Sequence, residues 1–271
     1  MIDFEQFLGD EIEKWSGGVT DTIAGGVKYV LSSGGKRVRP NCFLAAYSAF
    51  SAPCEAAYYF ALGIECYHNF TLVHDDLPCM DNDDYRRGKP SCHKVYGEGQ
   101  AVLIGDALQN LAYTYILKAI ALAADKNRAI TAAEKFNTLV GGEGLIGGQS
   151  VDIDEKTVWN EKTLGFVYKH KTCDLFEAAI ACGSIMSGAD DKSVDALSRF
   201  AYYYGCVFQL TDDILDKDKK EKNSFLSIKS ESDAESVLLD LTEKATTVLK
   251  SLDNKIDFFN DLLKKTVKRT K

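Results

Sequence analysis

Four prolines in 271 residues leave little to interrupt helices, and glycines fall in pairs between apolar segments, the punctuation of helices joined by turns. No stretch of useful length alternates apolar and polar residues, which argues against a sheet. No internal repeat or linker divides the chain. No segment is apolar enough for long enough to span a bilayer. The acidic start, Met1-Ile2-Asp3-Phe4-Glu5, has no apolar signal-peptide core, so a cytoplasmic protein without membrane insertion is expected. A formal net charge of −8 argues against nucleic acid or an anionic membrane as the main partner. None of the eight cysteines is paired as C-x-x-C, so neither a zinc site nor a redox motif is indicated. They read as small buried hydrophobes in a reducing compartment.

What is present is helical periodicity and a hydrophobic content of 45%, enough for a sizeable core. Helices are predicted over 3–15, 19–32, 41–50, 54–76, 97–124, 162–187, 192–216, 231–251 and 253–267. Lys217 to Lys222, of mixed charge and with no apolar residue, is predicted to be a solvated, mobile loop. The expected architecture is a single all-α domain over 1–271.

Two acidic patches stand at the ends of apolar helical runs: Asp75-Asp76-Leu77-Pro78-Cys79-Met80-Asp81 and Asp212-Asp213-Ile214-Leu215-Asp216. Carboxylates at a helix C-terminus oppose the macrodipole, a cost that a bound cation would offset. Hard oxygen donors suit Mg²⁺. Asp212 and Asp216 are four apart and share a helix face, whereas Asp75 and Asp81 converge only if Leu77-Pro78 turns the chain. Arg86, Arg87 and Lys89 follow the first patch, and Lys36, Arg37 and Arg39 sit in the glycine turn Gly34 to Pro40. Cations beside metal-binding carboxylates point to a diphosphate, which metal makes a good leaving group. His68, two helical turns before Asp75, and His74 are as compatible with core packing as with a site. The aromatics Tyr67 and Phe70 fit a dry pocket for a carbocation, or plain core.

These residues carry a resemblance. Gly34-Gly35-Lys36-Arg37-Val38-Arg39-Pro40, His74-Asp75-Asp76-Leu77-Pro78-Cys79-Met80-Asp81 with Arg86-Arg87-Gly88-Lys89-Pro90, Gly105-Asp106-Ala107-Leu108, Gly148-Gln149-Ser150-Val151-Asp152, Lys171-Thr172, and Phe208 to Asp216 follow in the order found in trans-isoprenyl diphosphate synthases. The chain resembles the bacterial farnesyl diphosphate synthases of that family. The resemblance implies an all-α bundle around a central cavity and a homodimer. It also implies condensation of an allylic diphosphate, dimethylallyl or geranyl, with isopentenyl diphosphate. It implies about three Mg²⁺ per site, with Mn²⁺ as a substitute. Asp75, Asp81 and Asp212 would be the principal metal ligands, with Asp76 and Asp216 in support. Arg86, Lys171, Gln209 and Lys222 would hold the allylic diphosphate, and Lys36, Arg39, His68 and Arg87 isopentenyl diphosphate. Thr172 and Gln209 would lie along the reacting carbons.

The chain departs from the family pattern in three places. Cys173-Asp174 follows Lys171-Thr172 where glycine and a small residue are usual, adding a carboxylate that either weakens diphosphate binding or points outward. Thr211 precedes Asp212, and the loop after Asp216 is short and lacks its usual Gly-Lys pairs. A terpene cyclase would have no use for the isopentenyl site, and a non-catalytic regulatory subunit would be marked by loss of an aspartate motif. Product length rests on the helix ending at Asp75. At about 1.5 Å per residue, Phe70 and Thr71 lie ~6–7.5 Å below Asp75, and Tyr67 ~12 Å below it. Phe70 as cavity floor gives a C15 product, farnesyl diphosphate. Thr71 leaving the upper cavity open, with Tyr67 as floor, gives C20, geranylgeranyl diphosphate.

Overall fold

The computed structural model describes residues 2–219, 222–252 and 256–269. The expected all-α architecture is what it shows: thirteen α-helices among the described residues, with one two-residue β-hairpin. None of these helices is long and apolar enough to cross a membrane. Backbone contacts group the chain into two compact units, Met1–Asn41 with Pro53–Lys126, and Cys42–Ala52 with Asn127–Lys271.

The first unit is built on two long helices, α4 (Glu55–Asp75) and α6 (Glu98–Leu122), with α1 (Phe4–Ser16), α2 (Asp21–Leu31) and the short α5 (Cys92–Tyr96) around them. α4 is apolar on almost every face and buries nearly all of its first sixteen residues, so it reads as a central helix and not as an amphipathic one. α6 lies antiparallel against it. The contact is close because glycine stands on either side. A Cβ at Gly63 would come 2.8 Å from the Ala112 carbonyl oxygen, and one at Gly105 2.2 Å from the His74 ring. The hairpin pairs Tyr85 with Pro90 and Arg86 with Lys89. Its two turn residues both have positive φ, Arg87 at 54° and Gly88 at 77°, as a tight two-residue β-turn requires.

α3 (Val38–Ser48) starts in the first unit, with Pro40 in its first turn, and ends in the second. The second unit then contains α7 (Lys126–Val140), α8 (Leu145–Ile153), α9 (Glu161–Val167), α10 (Asp174–Met186), α11 (Asp191–Leu215), α12 (Glu231–Lys250) and α13 (Asp257–Val267). Side chains start three of these. Asn160 caps α9, Asp190 caps α11, and Ser230 with Asp233 forms a capping box on α12. α10 is buried almost all round.

Five features differ from the sequence expectation. α5 and α7 were not predicted, and the glycine-flanked piece 145–153 is a helix. The run predicted as one helix over 162–187 is interrupted by a π-helical turn, Tyr168–Cys173. After Asp216 the chain continues as a 3₁₀ turn, Lys217–Lys219, with Lys217 paired to Glu231 at 2.8 Å. Lys220 and Glu221 of the expected mobile loop, and 253–255 of the last predicted helix, lie outside the described residues.

Candidate active site

In the first unit, the chain turns immediately after α4. The Leu77 amide donates to the His74 carbonyl at 3.2 Å, Met80 and Asn82 donate to the Leu77 carbonyl, and the Asp81 amide donates to the Asp75 carbonyl at 2.8 Å. The turn at Leu77-Pro78 therefore brings Asp75 and Asp81 together, as joint metal binding requires. Asp75 is half-buried and Asp81 exposed. Asp76 is buried and accepts hydrogen bonds from Arg86, which also reaches Asp83 at 3.0 Å. Burial raises the pKa of Asp76, and Arg86 opposes that rise without cancelling it. Arg86 is thus engaged with the acidic patch.

The turn of the hairpin aims Arg87 back at the glycine turn. Its guanidinium donates to the Gly34 carbonyl at 2.6 Å and lies 3.4 Å from Asn69 Oδ1. A Cβ at Gly35 would stand 2.8 Å from the Arg87 guanidinium carbon, and the φ of 127° at this position favours glycine. Asn69 is held in turn by the Glu65 carboxylate and carbonyl, one helical turn before it. Asn69 was not anticipated, although its i, i+4 spacing from Glu65 was visible. Of the three cations in the glycine turn, Lys36 is exposed and Arg39 half-buried. Arg37 instead points inward, donating to Glu65, Glu5 and the Leu31 carbonyl. It serves the scaffold.

Arg39 Nη1 lies 3.3 Å from His68 Nε2. Burial, then the charges of Arg39 and Arg87, push the His68 pKa well down, so the ring is neutral. Neutral His68 accepts from Arg39 through Nε2 and carries its proton on Nδ1, a buried atom with no hydrogen-bond partner among the described residues. His74 has a packing role. Its ring lies against Gly105, with Nε2 3.1 Å from the Val102 carbonyl, and Phe70 meets it edge-on at 4.8 Å. Phe70 also packs edge-on against Tyr67 at 5.1 Å, and Tyr67 against Tyr113 at 6.3 Å. Thr71 turns its hydroxyl to the His68 carbonyl.

In the second unit the π turn carries Lys171 and Thr172. π turns are rare and concentrate at functional sites. α8 packs directly on this one at Gly148, where a Cβ would stand 2.4 Å from the Lys171 amide nitrogen. Lys171 pairs with Asp152, which also accepts from Asn223 at 2.8 Å. Thr172 donates to Gln209 Oε1 at 2.8 Å, and Gln209 Nε2 donates to Asp213 at 3.1 Å. Asp213 also accepts from the Tyr168 hydroxyl at 2.6 Å and from the Phe225 amide. Asp213 is therefore the structural hub of this patch, leaving Asp212 and Asp216 as its metal-ligand candidates. Gln209, Asp212, Asp216, Lys217, Ser224 and Ser227 border a cavity of about 190 Å³. Asp212 accepts from Arg269, a residue the sequence reading had not connected to this motif, while burial raises the Asp212 pKa. Lys222 is exposed.

Asp174 neither joins the Lys171 neighbourhood as a free carboxylate nor points outward. It is buried and lies 2.7 Å from His170 Nδ1. Burial raises its pKa.

The donor set fits Mg²⁺. Among the described residues no three His, Cys, Asp or Glu side chains form a ready-made metal cage. Mg²⁺ does not need one, because it keeps waters and is typically held by one or two carboxylates plus substrate phosphate. Arginine already seats itself on both Asp76 and Asp212, which marks each patch as a site where a cation is favoured.

A sequence profile described as polyprenyl synthetase matches residues 20–235. The chain is 42% identical over 200 residues to a chloroplastic geranylgeranyl pyrophosphate synthase of Capsicum annuum, covering 72% of this chain and 53% of that one. The chain spans about half the length of the curated relatives it matches. The crystal structure of an FPP/GFPP synthase from Zymomonas mobilis superposes with a TM-score of 0.88 at 30% identity, covering 97% of this chain and 98% of the other. A geranyltransferase structure from Legionella pneumophila gives 0.84 at 28% identity, with 97% and 95% covered.

Proposed function

The chain belongs to the polyprenyl synthetase family, and on that premise we propose that it elongates isoprenyl diphosphates as one domain over 1–271. The reaction condenses an allylic diphosphate with isopentenyl diphosphate, with farnesyl diphosphate as the main product. The observation that carries this reading is the pairing of each acidic helix end with a cation: Arg86 on Asp76 beside Asp75 and Asp81, and Arg269 on Asp212 beside Asp216. Mg²⁺, when bound, neutralises the diphosphate as the carbon–oxygen bond breaks. Arg86, Lys171, Gln209 and Lys222 bind the allylic diphosphate, and Lys36, Arg39, His68 and Arg87 bind isopentenyl diphosphate. The buried Nδ1 of neutral His68 is available to donate a hydrogen bond. Thr172 and Gln209, locked to each other and to Asp213, line the reacting carbons and hold them in register. The enzyme acts as a homodimer.

The purified protein, incubated with Mg²⁺, isopentenyl diphosphate and each allylic primer in turn, is expected to release a longer prenyl diphosphate. No turnover with any primer would overturn the reading. Arg87→Ala should raise KM for isopentenyl diphosphate by roughly tenfold or more, the loss of one charge-assisted contact, with a smaller effect on the primer. The reverse pattern would mean that the two diphosphate sites are exchanged.

Product length rests on Phe70, whose ring is wedged between His74 and Tyr67. Its position ~7.5 Å below Asp75 suits a C15 floor. A C20 product is the second reading, favoured by the 42% identity to a geranylgeranyl pyrophosphate synthase, with Tyr67 and Tyr113 as the floor. Phe70→Ala should shift C15 output to C20 or longer. An unchanged product, with the shift seen only in Tyr67→Ala, would move the floor one turn deeper.

A further inference from the structure

Two cysteines 33 positions apart meet in the second unit. Cys173, the last residue of the π turn, and Cys206 of α11 are both buried, with their sulfurs 3.6 Å apart. The π turn and α11 are packed closely here, since a Cβ at Gly205, the residue before Cys206, would lie 2.8 Å from the Cys173 Cα. A disulfide needs close Cα atoms and sulfurs about 2.05 Å apart, so bonding requires only a small inward movement. Cys206 also borders a cavity of about 400 Å³ together with Tyr168, Tyr202, Leu210 and Lys229, which gives a small molecule a route to its sulfur.

We propose that Cys173 and Cys206 are a site of oxidative modification, which a small hydroperoxide converts to an intrachain disulfide that shifts the Thr172–Gln209 pair from its resting position. The two thiols are not equivalent. The Cys173 thiol, with the Tyr202 hydroxyl in support, holds the Cys206 pKa below its usual value, whereas burial pushes that of Cys173 well up. Cys206, which also borders the cavity, is therefore the attacking sulfur. It breaks the O–O bond of hydrogen peroxide, becoming a sulfenic acid and releasing water once the departing oxygen is protonated. The Cys173 sulfur then attacks the Cys206 sulfur, and the hydroxyl leaves with the Cys173 proton as a second water. Two thiols lose two electrons and two protons, and one peroxide is reduced to two waters. Cys173 adjoins Thr172, and Cys206 lies three residues before Gln209, so closing the sulfurs draws the π turn against α11 where these two side chains hold each other.

The test uses the full-length reduced protein treated with hydrogen peroxide, alkylated, digested and sequenced by mass spectrometry. A peptide pair linked through Cys173 and Cys206, restored to free thiols by dithiothreitol, is expected. Both cysteines recovered alkylated, or links confined to the exposed Cys54 and Cys79, would overturn the proposal. In Cys173→Ala, dimedone should label Cys206. Label on neither cysteine in Cys173→Ala or Cys206→Ala would remove the attacking-sulfur assignment. Oxidation should slow amide exchange across 168–173, and unchanged exchange would exclude any effect on the turn. Turnover should fall on the order of tenfold and recover on reduction, the scale of a misplaced positioning contact. This last arm rests on the proposed function: a reduced protein without turnover would count against that function, while the linked peptide and the exchange data would stand.

Discussion

Asp75→Ala and Asp212→Ala are each expected to lower kcat by about a thousandfold or more, the scale at which removing charge stabilisation from a transition state is felt. The melting temperature should stay within a few degrees, as for ordinary surface changes. The two expectations share one cause. Both carboxylates sit in the last turn of a helix, Asp75 on α4 and Asp212 on α11, where negative charge meets the negative end of the macrodipole. Removing them relieves that repulsion and exposes no core. Asp212 also loses its contact with Arg269, but both side chains are only partly buried, so solvent makes the pair worth little. Initial rates across an Mg²⁺ titration, beside circular-dichroism melts, check both halves. A mutant with near-normal rate at limiting Mg²⁺ would remove that aspartate from the metal site.

Arg37→Ala is expected to cost about 3–5 kcal/mol of stability, the usual result of leaving a buried charge without its partner. Arg37 and Glu65 have side chains only 6% and 2% exposed and meet at 2.7 Å. The guanidinium also bonds Glu5 at 2.7 Å and the Leu31 carbonyl. Burial lowers the Arg37 pKa, but Glu5 and Glu65 raise it further, so the side chain stays charged. Without it, Glu65 keeps a carboxylate in the core, with the Asn69 amide donating to it. Because Asn69 also faces Arg87, the same change should weaken isopentenyl diphosphate binding. Urea denaturation measures the first effect. Arg37→Met combined with Glu65→Leu should regain most of the loss, since an apolar pair leaves no charge stranded. A single mutant losing less than about 1 kcal/mol would place the pair among exposed bridges.

Arg37 also shows the limit of local reading. By residue type and spacing it is one of three cations in Gly34 to Pro40; the resemblance assigns Lys36 and Arg39 to isopentenyl diphosphate but gives Arg37 no role. Its role depends on Glu5 and Glu65, 32 and 28 positions away. Asp213 is similar. Beside Asp212 it looks like a second metal ligand, but Tyr168, Gln209 and the Phe225 amide converge on it. The π turn was hidden because one wider turn, Tyr168–Cys173, shifts the side-chain register of the run 162–187 by a single residue, too little to break its helical spacing. α7 was missed although its alanines and Phe136 recur at helical spacing.

By itself the sequence determined the all-α class, the order of the motifs and the oxygen-donor residue types of both acidic patches. These are encoded in residue type and short spacing, where 3.6-residue periodicity and steric size act directly. Only the tertiary structure decided which carboxylates are committed to protein partners, that Arg37 faces inward, and that Cys173 meets Cys206. Each of these is set by what packs opposite a side chain. A buried charge or thiol takes its character from the dielectric and donors around it, and those neighbours arrive from distant positions that no local spacing records.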